Sequence, residues 1–143
     1  MKRVIKVKLW VIILTAIICI AVFGLQNSIL KYESPYFIAE KFSGLSVPKT
    51  SEIYYYINSQ NVIPSDAVTI IVLKIPDKYV NDISVQCQEE GFSVLTDSTE
   101  LNGFGPNNNI VVIRKGYYKT RGCSKDTYWD TENGILYIMD VDF

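Results

Sequence analysis

The sequence predicts an α+β protein: one N-terminal transmembrane helix, then a small antiparallel sheet with two helices packed on one face. Three observations predict it. Residues 9–30 carry no charged side chain. Two short segments, 35–43 and 76–90, repeat their apolar residues at helical spacing. The last nine residues follow a period of two, with Ile135, Tyr137, Met139, Val141 and Phe143 on one face. A period near 3.6 marks a helix buried on one side, and a period of two marks a strand; hairpin-length connections between strands favour antiparallel pairing.

The chain divides into a basic tail (1–8), a membrane anchor (9–30) and an extracytoplasmic domain (31–143). At about 1.5 Å per residue the anchor spans ~33 Å, close to the ~30 Å hydrocarbon core of a bilayer. Eleven residues between Leu9 and Leu25 are Leu, Ile, Val or Phe, each favouring insertion by about 0.3–0.6 kcal/mol. Lys2, Arg3, Lys6 and Lys8 precede the window, and only Lys31 follows it closely. Positive charge stays in the cytoplasm, so the C-terminal domain is expected outside. A cleavable signal peptide has a shorter apolar centre and a small-x-small cleavage site, for which Val22-Phe23-Gly24 is the best match. A lipoprotein would be acylated at Cys19, but Ile18 stands where a small residue is needed. All three routes export the same domain.

Fourteen basic residues, less the four at positions 2, 3, 6 and 8, leave ten against fifteen acidic ones, so the domain has a net charge of −5. That balance argues against nucleic-acid binding, which requires a positive surface. Histidine is absent, which removes the commonest general base, the commonest zinc ligand and the usual partner of a nucleophilic Ser or Cys. Cys87 and Cys123 are an even pair in the exported part and read as a candidate disulfide. Closing their loop is worth about 3.5–4 kcal/mol in the chain-entropy model. The alternative is two buried thiols that never meet.

Taken in order, Ser34-Pro35 caps a helix over 35–43. Residues 52–57 form a strand with Ile53, Tyr55 and Ile57 on one side and Tyr54 and Tyr56 on the other. The nearly unbroken apolar run 67–75 is a central strand buried on both faces. Pro76-Asp77 begins the second helix, with Tyr79, Val80, Ile83 and Cys87 facing inward. Residues 92–96 are a short strand, and 97–109 are too polar for an element of their own. Residues 110–114 turn through Lys115-Gly116 into 117–120. A second hairpin joins 127–129 to 135–143 through the Asn133-Gly134 turn. Asp140 and Asp142 are expected to be solvated.

Two stretches, Phe42-Ser43-Gly44-Leu45-Ser46-Val47-Pro48-Lys49 and Tyr128-Trp129-Asp130-Thr131-Glu132-Asn133-Gly134-Ile135-Leu136-Tyr137, resemble those near the two ends of small membrane-anchored or exported α+β proteins of Gram-positive bacteria with no assigned activity. The resemblance implies an envelope-facing α+β domain and supplies no catalytic residue.

Arg114, Lys115, Tyr117, Tyr118, Lys119, Arg121 and Lys125 are the candidate partner surface, a basic and aromatic hairpin suited to an anionic envelope polymer or another membrane protein. Its bland counterpart is a solvated hairpin whose cations blunt a sheet edge. Asp126, Asp130, Glu132 and Asn133 fail the calcium-loop spacing, because Gly134 falls one place early for a loop starting at Asp130. Glu89-Glu90, and Asp140 with Asp142, are weak candidates for the carboxylate pair of a glycosidase. Gly103-Phe104-Gly105-Pro106 lacks the strand-to-helix setting of a phosphate cradle. No catalytic, metal or cofactor residue is assigned. The expected role is a non-enzymatic, membrane-tethered binding protein, inhibitor or immunity-like or accessory to an envelope complex, whose bilayer contact is residues 9–30. The alternative is a carboxylate-dependent envelope hydrolase.

Overall fold

The structure, a computed structural model, describes residues 14–22, 34–59, 67–104, 109–122 and 125–142. The chain forms two compact units, 1–34 and 35–143. In the first, the described segment 14–22 is a helix, α1, with its side chains exposed. The tail 1–8 and the remainder of the 9–30 window lie outside the described residues. Among those described, no helix is long and apolar enough to cross a membrane.

The second unit is α+β. Its elements are α2 (Pro35–Ser43), β1 (Glu52–Asn58), β2 (Ala67–Lys74), a 3-10 turn at Asp77–Tyr79, α3 (Val80–Glu89), β3 (Ser93–Val94), β4 (Thr99–Leu101), β5 (Val111–Ile113), β6 (Gly116–Arg121), β7 (Lys125–Asp130) and β8 (Ile135–Asp142). Six strands make one antiparallel sheet in the order β1-β2-β8-β7-β6-β3. A separate pair, β4-β5, makes a second sheet.

The apolar run in β2 has the predicted consequence. Ile71 and Leu73 face one side of the sheet, Ile70 and Val72 the other, and all four are buried. On the first side they meet Ile38 and Ala39 of α2 and Ile83 and Cys87 of α3, together with Trp129, Leu136 and Ile138. Both helices therefore cover one face. On the second side they meet Tyr137 and a lid formed by Leu101, Phe104 and Ile113. Phe104 stands edge-on to Tyr137, with centroids 5.5 Å apart and planes at 87°. Burying both faces of the inner strands removes the need for polar alternation there.

Three expectations are corrected. The segment 97–109 is not all loop: Thr99–Leu101 is a strand, and β5 pairs with it rather than turning back onto β6. Leu101 and Ile113 of that pair are buried in the core and Val111 packs against it, while Glu100 and Val112 face solvent; the signal of Thr99–Leu101 is three residues long and mostly polar. The alternation of β1 is broken by a bulge between Ile53 and Tyr55. Ile53 lies opposite Leu73 and Tyr56 opposite Ile71, on the helix side, whereas Tyr55 and Ile57 lie opposite Val72 and Ile70 on the lid side. A bulge inserts one residue and flips every side chain beyond it. Finally, Asp140 is buried rather than solvated, because its face of β8 continues Leu136 and Ile138 beneath α2.

Candidate functional site

Strand geometry divides the basic hairpin. Successive side chains of β6 point to opposite faces, so Tyr117 and Lys119 project toward the helices and Tyr118 toward the lid side. Tyr117 packs against the helix-side core, and its hydroxyl accepts a hydrogen bond from Gln88 Nε2 at 2.7 Å. Lys119 lies 3.8 Å from Glu90 Oε2, donates to the Glu90 carbonyl, and sits 5.2 Å above the Phe92 ring. Tyr118 stacks on Tyr128 with centroids 6.4 Å apart and planes at 21°.

Lys125 and Asp140 face each other across β7 and β8. Their charged atoms are 3.3 Å apart, with Asp140 buried and Lys125 partly exposed. The ammonium also lies 5.6 Å from the Phe42 ring. This cation neutralises a buried carboxylate, and removing either partner of such a pair leaves an uncompensated charge. Arg114 and Lys115 are exposed before β6 and Arg121 is exposed at its end; six residues of strand at about 3.3 Å each put ~20 Å between Lys115 and Arg121. The seven predicted residues thus lie on one hairpin without forming one patch.

The acidic candidates are likewise accounted for. Asp130 is buried; its Oδ1 accepts the backbone N–H groups of Glu132 and Asn133 at 3.0 and 3.1 Å, and its Oδ2 accepts Asn133 Nδ2 at 2.8 Å. Both oxygens hold the β7-β8 turn, which is how Asp commonly builds a turn. Among the described residues no group of three His, Cys, Asp or Glu is placed to hold a metal. Glu89 and Glu90 are exposed, and the side chain of Asp142 falls outside the described set. Of the loop Gly103-Phe104-Gly105-Pro106, the last two residues lie outside the described chain, and Phe104 is a core residue.

Cys19 is exposed on α1 and Cys87 is a buried thiol on α3. Burial pushes the Cys87 thiol up to about 12, against the lowering effect of the Lys119 charge, and a buried neutral thiol is a poor nucleophile. Cys123 lies outside the described residues.

Open grooves mark the surface of the described residues. One, of about 470 Å³, runs between α3, β3 and the β7-β8 turn, past Val80, Ser84, Val94 and Tyr117. Another of about 300 Å³ lies between Val47 and Ile83. A third of about 260 Å³ lies beside Leu95, Tyr118 and Tyr128. Neither buried acid, Asp130 or Asp140, lines any of them.

The feature that sequence reasoning missed is the outer edge of β1, where Ile53, Tyr54 and Ile57 are exposed. Its signal was present: five consecutive apolar or aromatic residues with no cation among them.

No family model matches the sequence, and no curated protein or solved structure matches it.

Proposed function

We propose that the chain is a single-pass, membrane-tethered, non-enzymatic binding protein, with residues 1–8 in the cytoplasm and residues 31–143 outside. One observation carries this reading: 22 consecutive uncharged residues preceded by four cations, a pattern that favours insertion with the basic end retained. The separation of the chain into two compact units at residue 34 supports it. Tethering confines a binder to a thin layer above the bilayer and raises its effective concentration toward other membrane components. The role is inhibitory or immunity-like, or accessory to an envelope complex. The partner is an anionic envelope polymer or another membrane protein, met through the exposed cations Arg114, Lys115 and Arg121. The alternative is the carboxylate-dependent hydrolase; each groove is lined by one acid, Glu132, Asp82 or Asp97, where glycoside hydrolysis uses a facing pair.

Cell fractionation followed by protease treatment of intact cells tests the proposal. The full-length chain is expected in the membrane fraction, with its C-terminal domain cleaved by external protease. Recovery of the intact chain in the cytosol overturns it, as does protection of the C-terminal domain where an external control protein is digested.

A further inference from the structure

The two edges of the six-stranded sheet are built differently. At one, β3 is only two residues long, and the part of β6 beyond it carries Lys119 and Arg121. Short edge strands and cations are the devices that keep sheet edges from pairing. The other edge is β1, seven residues long, with no Lys, Arg or Pro and with Ile53, Tyr54 and Ile57 exposed at 41%, 51% and 38%. Among the described residues no strand pairs with its outer side.

The hydrogen-bond phase of that edge is fixed. Ser59 donates its backbone N–H to the Val68 carbonyl at 2.9 Å, so Ser59 bonds inward to the strand beside it. Bonding alternates along an antiparallel strand, so Ile57 and Tyr55 also bond inward, while Tyr56 turns its N–H and C=O groups outward.

We infer that β1 is a homodimerisation edge: a second copy of this chain pairs antiparallel with it about a two-fold axis at Tyr56, extending the sheet across both copies. A two-fold interface must be self-complementary, each residue meeting on the partner the residue that meets it. The segment Tyr55–Ile57 satisfies this in three respects. Tyr56 presents outward backbone groups, so the two copies of Tyr56 exchange both hydrogen bonds. Tyr55 falls opposite Ile57 of the second copy, and both lie on the lid side of the sheet. The pairs formed, Tyr with Ile twice and Tyr with Tyr once, are the aromatic and β-branched pairs that stabilise sheets. The sequence palindrome Ile53-Tyr54-Tyr55-Tyr56-Ile57 suggests a centre at Tyr55 instead, but the bulge puts Ile53 on the helix side and Ile57 on the lid side, so they cannot face each other. Pairing through β1 does not require the membrane; a tether strengthens it through local concentration.

The test uses the full-length chain with Cys19→Ser and Cys123→Ser, purified in detergent at matched protein-to-detergent ratio. Light scattering is expected to show a dimer, and Ile57→Lys, at an exposed position, is expected to abolish it while Val85→Lys on α3 leaves it intact. Added Tyr56→Cys is expected to oxidise to a covalent dimer as the main product, because paired Cα atoms there are about 5.5 Å apart. Val85→Cys should give none. A monomeric parent chain overturns the inference, whether β1 then takes another protein or nothing. A dimer that survives Ile57→Lys places the interface elsewhere and also overturns it. Covalent dimer from Ile57→Cys in preference to Tyr56→Cys overturns the register. Should Tyr56→Cys fail to fold, the light-scattering arm decides alone.

Discussion

Gly116 begins β6 directly opposite Asp130, and a Cβ built there would stand 1.9 Å from the Trp129 carbonyl oxygen and 2.9 Å from its carbon. Those atoms are backbone of the neighbouring strand, so no side chain can rotate away. Gly116→Ala must therefore push β6 off β7. Forcing one extra carbon into a packed site costs about 1–3 kcal/mol. The displacement also breaks the local links: Leu95 N–H to the Gly116 carbonyl at 3.0 Å and Thr131 N–H to the Lys115 carbonyl at 3.1 Å, each worth about 1 kcal/mol. The expected loss is about 3–5 kcal/mol, a large part of the ~5–15 kcal/mol that holds a domain together. Gly91→Ala is the matched control. It has φ +72° with nothing within 4 Å of the new carbon, so it costs only the left-handed backbone, about 1–2 kcal/mol. Urea unfolding followed by Trp129 fluorescence in a Trp10→Phe background measures both. A Gly116→Ala protein within about 0.5 kcal/mol of its parent, or more stable than Gly91→Ala, would refute the reasoning, because steric exclusion by backbone exceeds any cost of conformation alone.

Two further outcomes follow from the helix-side core. Trp129 is fully buried and donates Nε1–H to Ser84 Oγ at 2.9 Å; Ser84→Ala leaves that donor without its acceptor and is expected to cost about 1–3 kcal/mol, read as a lowered urea midpoint. The Cys87 thiol is pushed from 9.0 up to about 12 in the folded chain. Because the folded value is raised, its share of stability is whole below pH 9 and is lost as pH climbs toward 12. From pH 8 to pH 10 the loss is about 1.4 kcal/mol. Burial, then Asp130, then Tyr54 push the Tyr137 phenol up to about 12, adding to the decline above pH 10 in the same direction. Urea titrations at the two pH values for the parent and Cys87→Ala should show the stability gap between them narrowing by that ~1.4 kcal/mol; an unchanged gap would mean the thiol titrates normally.

The elements with a strong local pattern were legible. Pro35–Ser43 is a helix with the boundaries its cap and glycine imply. The β2 run is buried on both faces as expected, though it lies second from the sheet edge with β8 and β7 at the centre, and Ile83 and Cys87 face inward from α3. The candidate surface was legible only as a list of residue types. Its seven members follow one another in sequence, yet Lys119 and Lys125 are engaged by Glu90 and Asp140, which are distant in the chain. Sequence gives charge and spacing; it does not give the residue that meets a charge from another strand.

What the sequence determined by itself is the set of periodic elements, the antiparallel class and the turn at Asn133-Gly134, because these depend on interactions a few residues apart. The tertiary structure decided three things. It paired β5 with β4 to close the second face of the sheet, it buried Asp140 beneath α2, and it broke the alternation of β1 at its bulge. Each depends on what arrives opposite a residue from elsewhere in the chain, and a single inserted residue reverses every facing beyond it. Local periodicity carries no record of either.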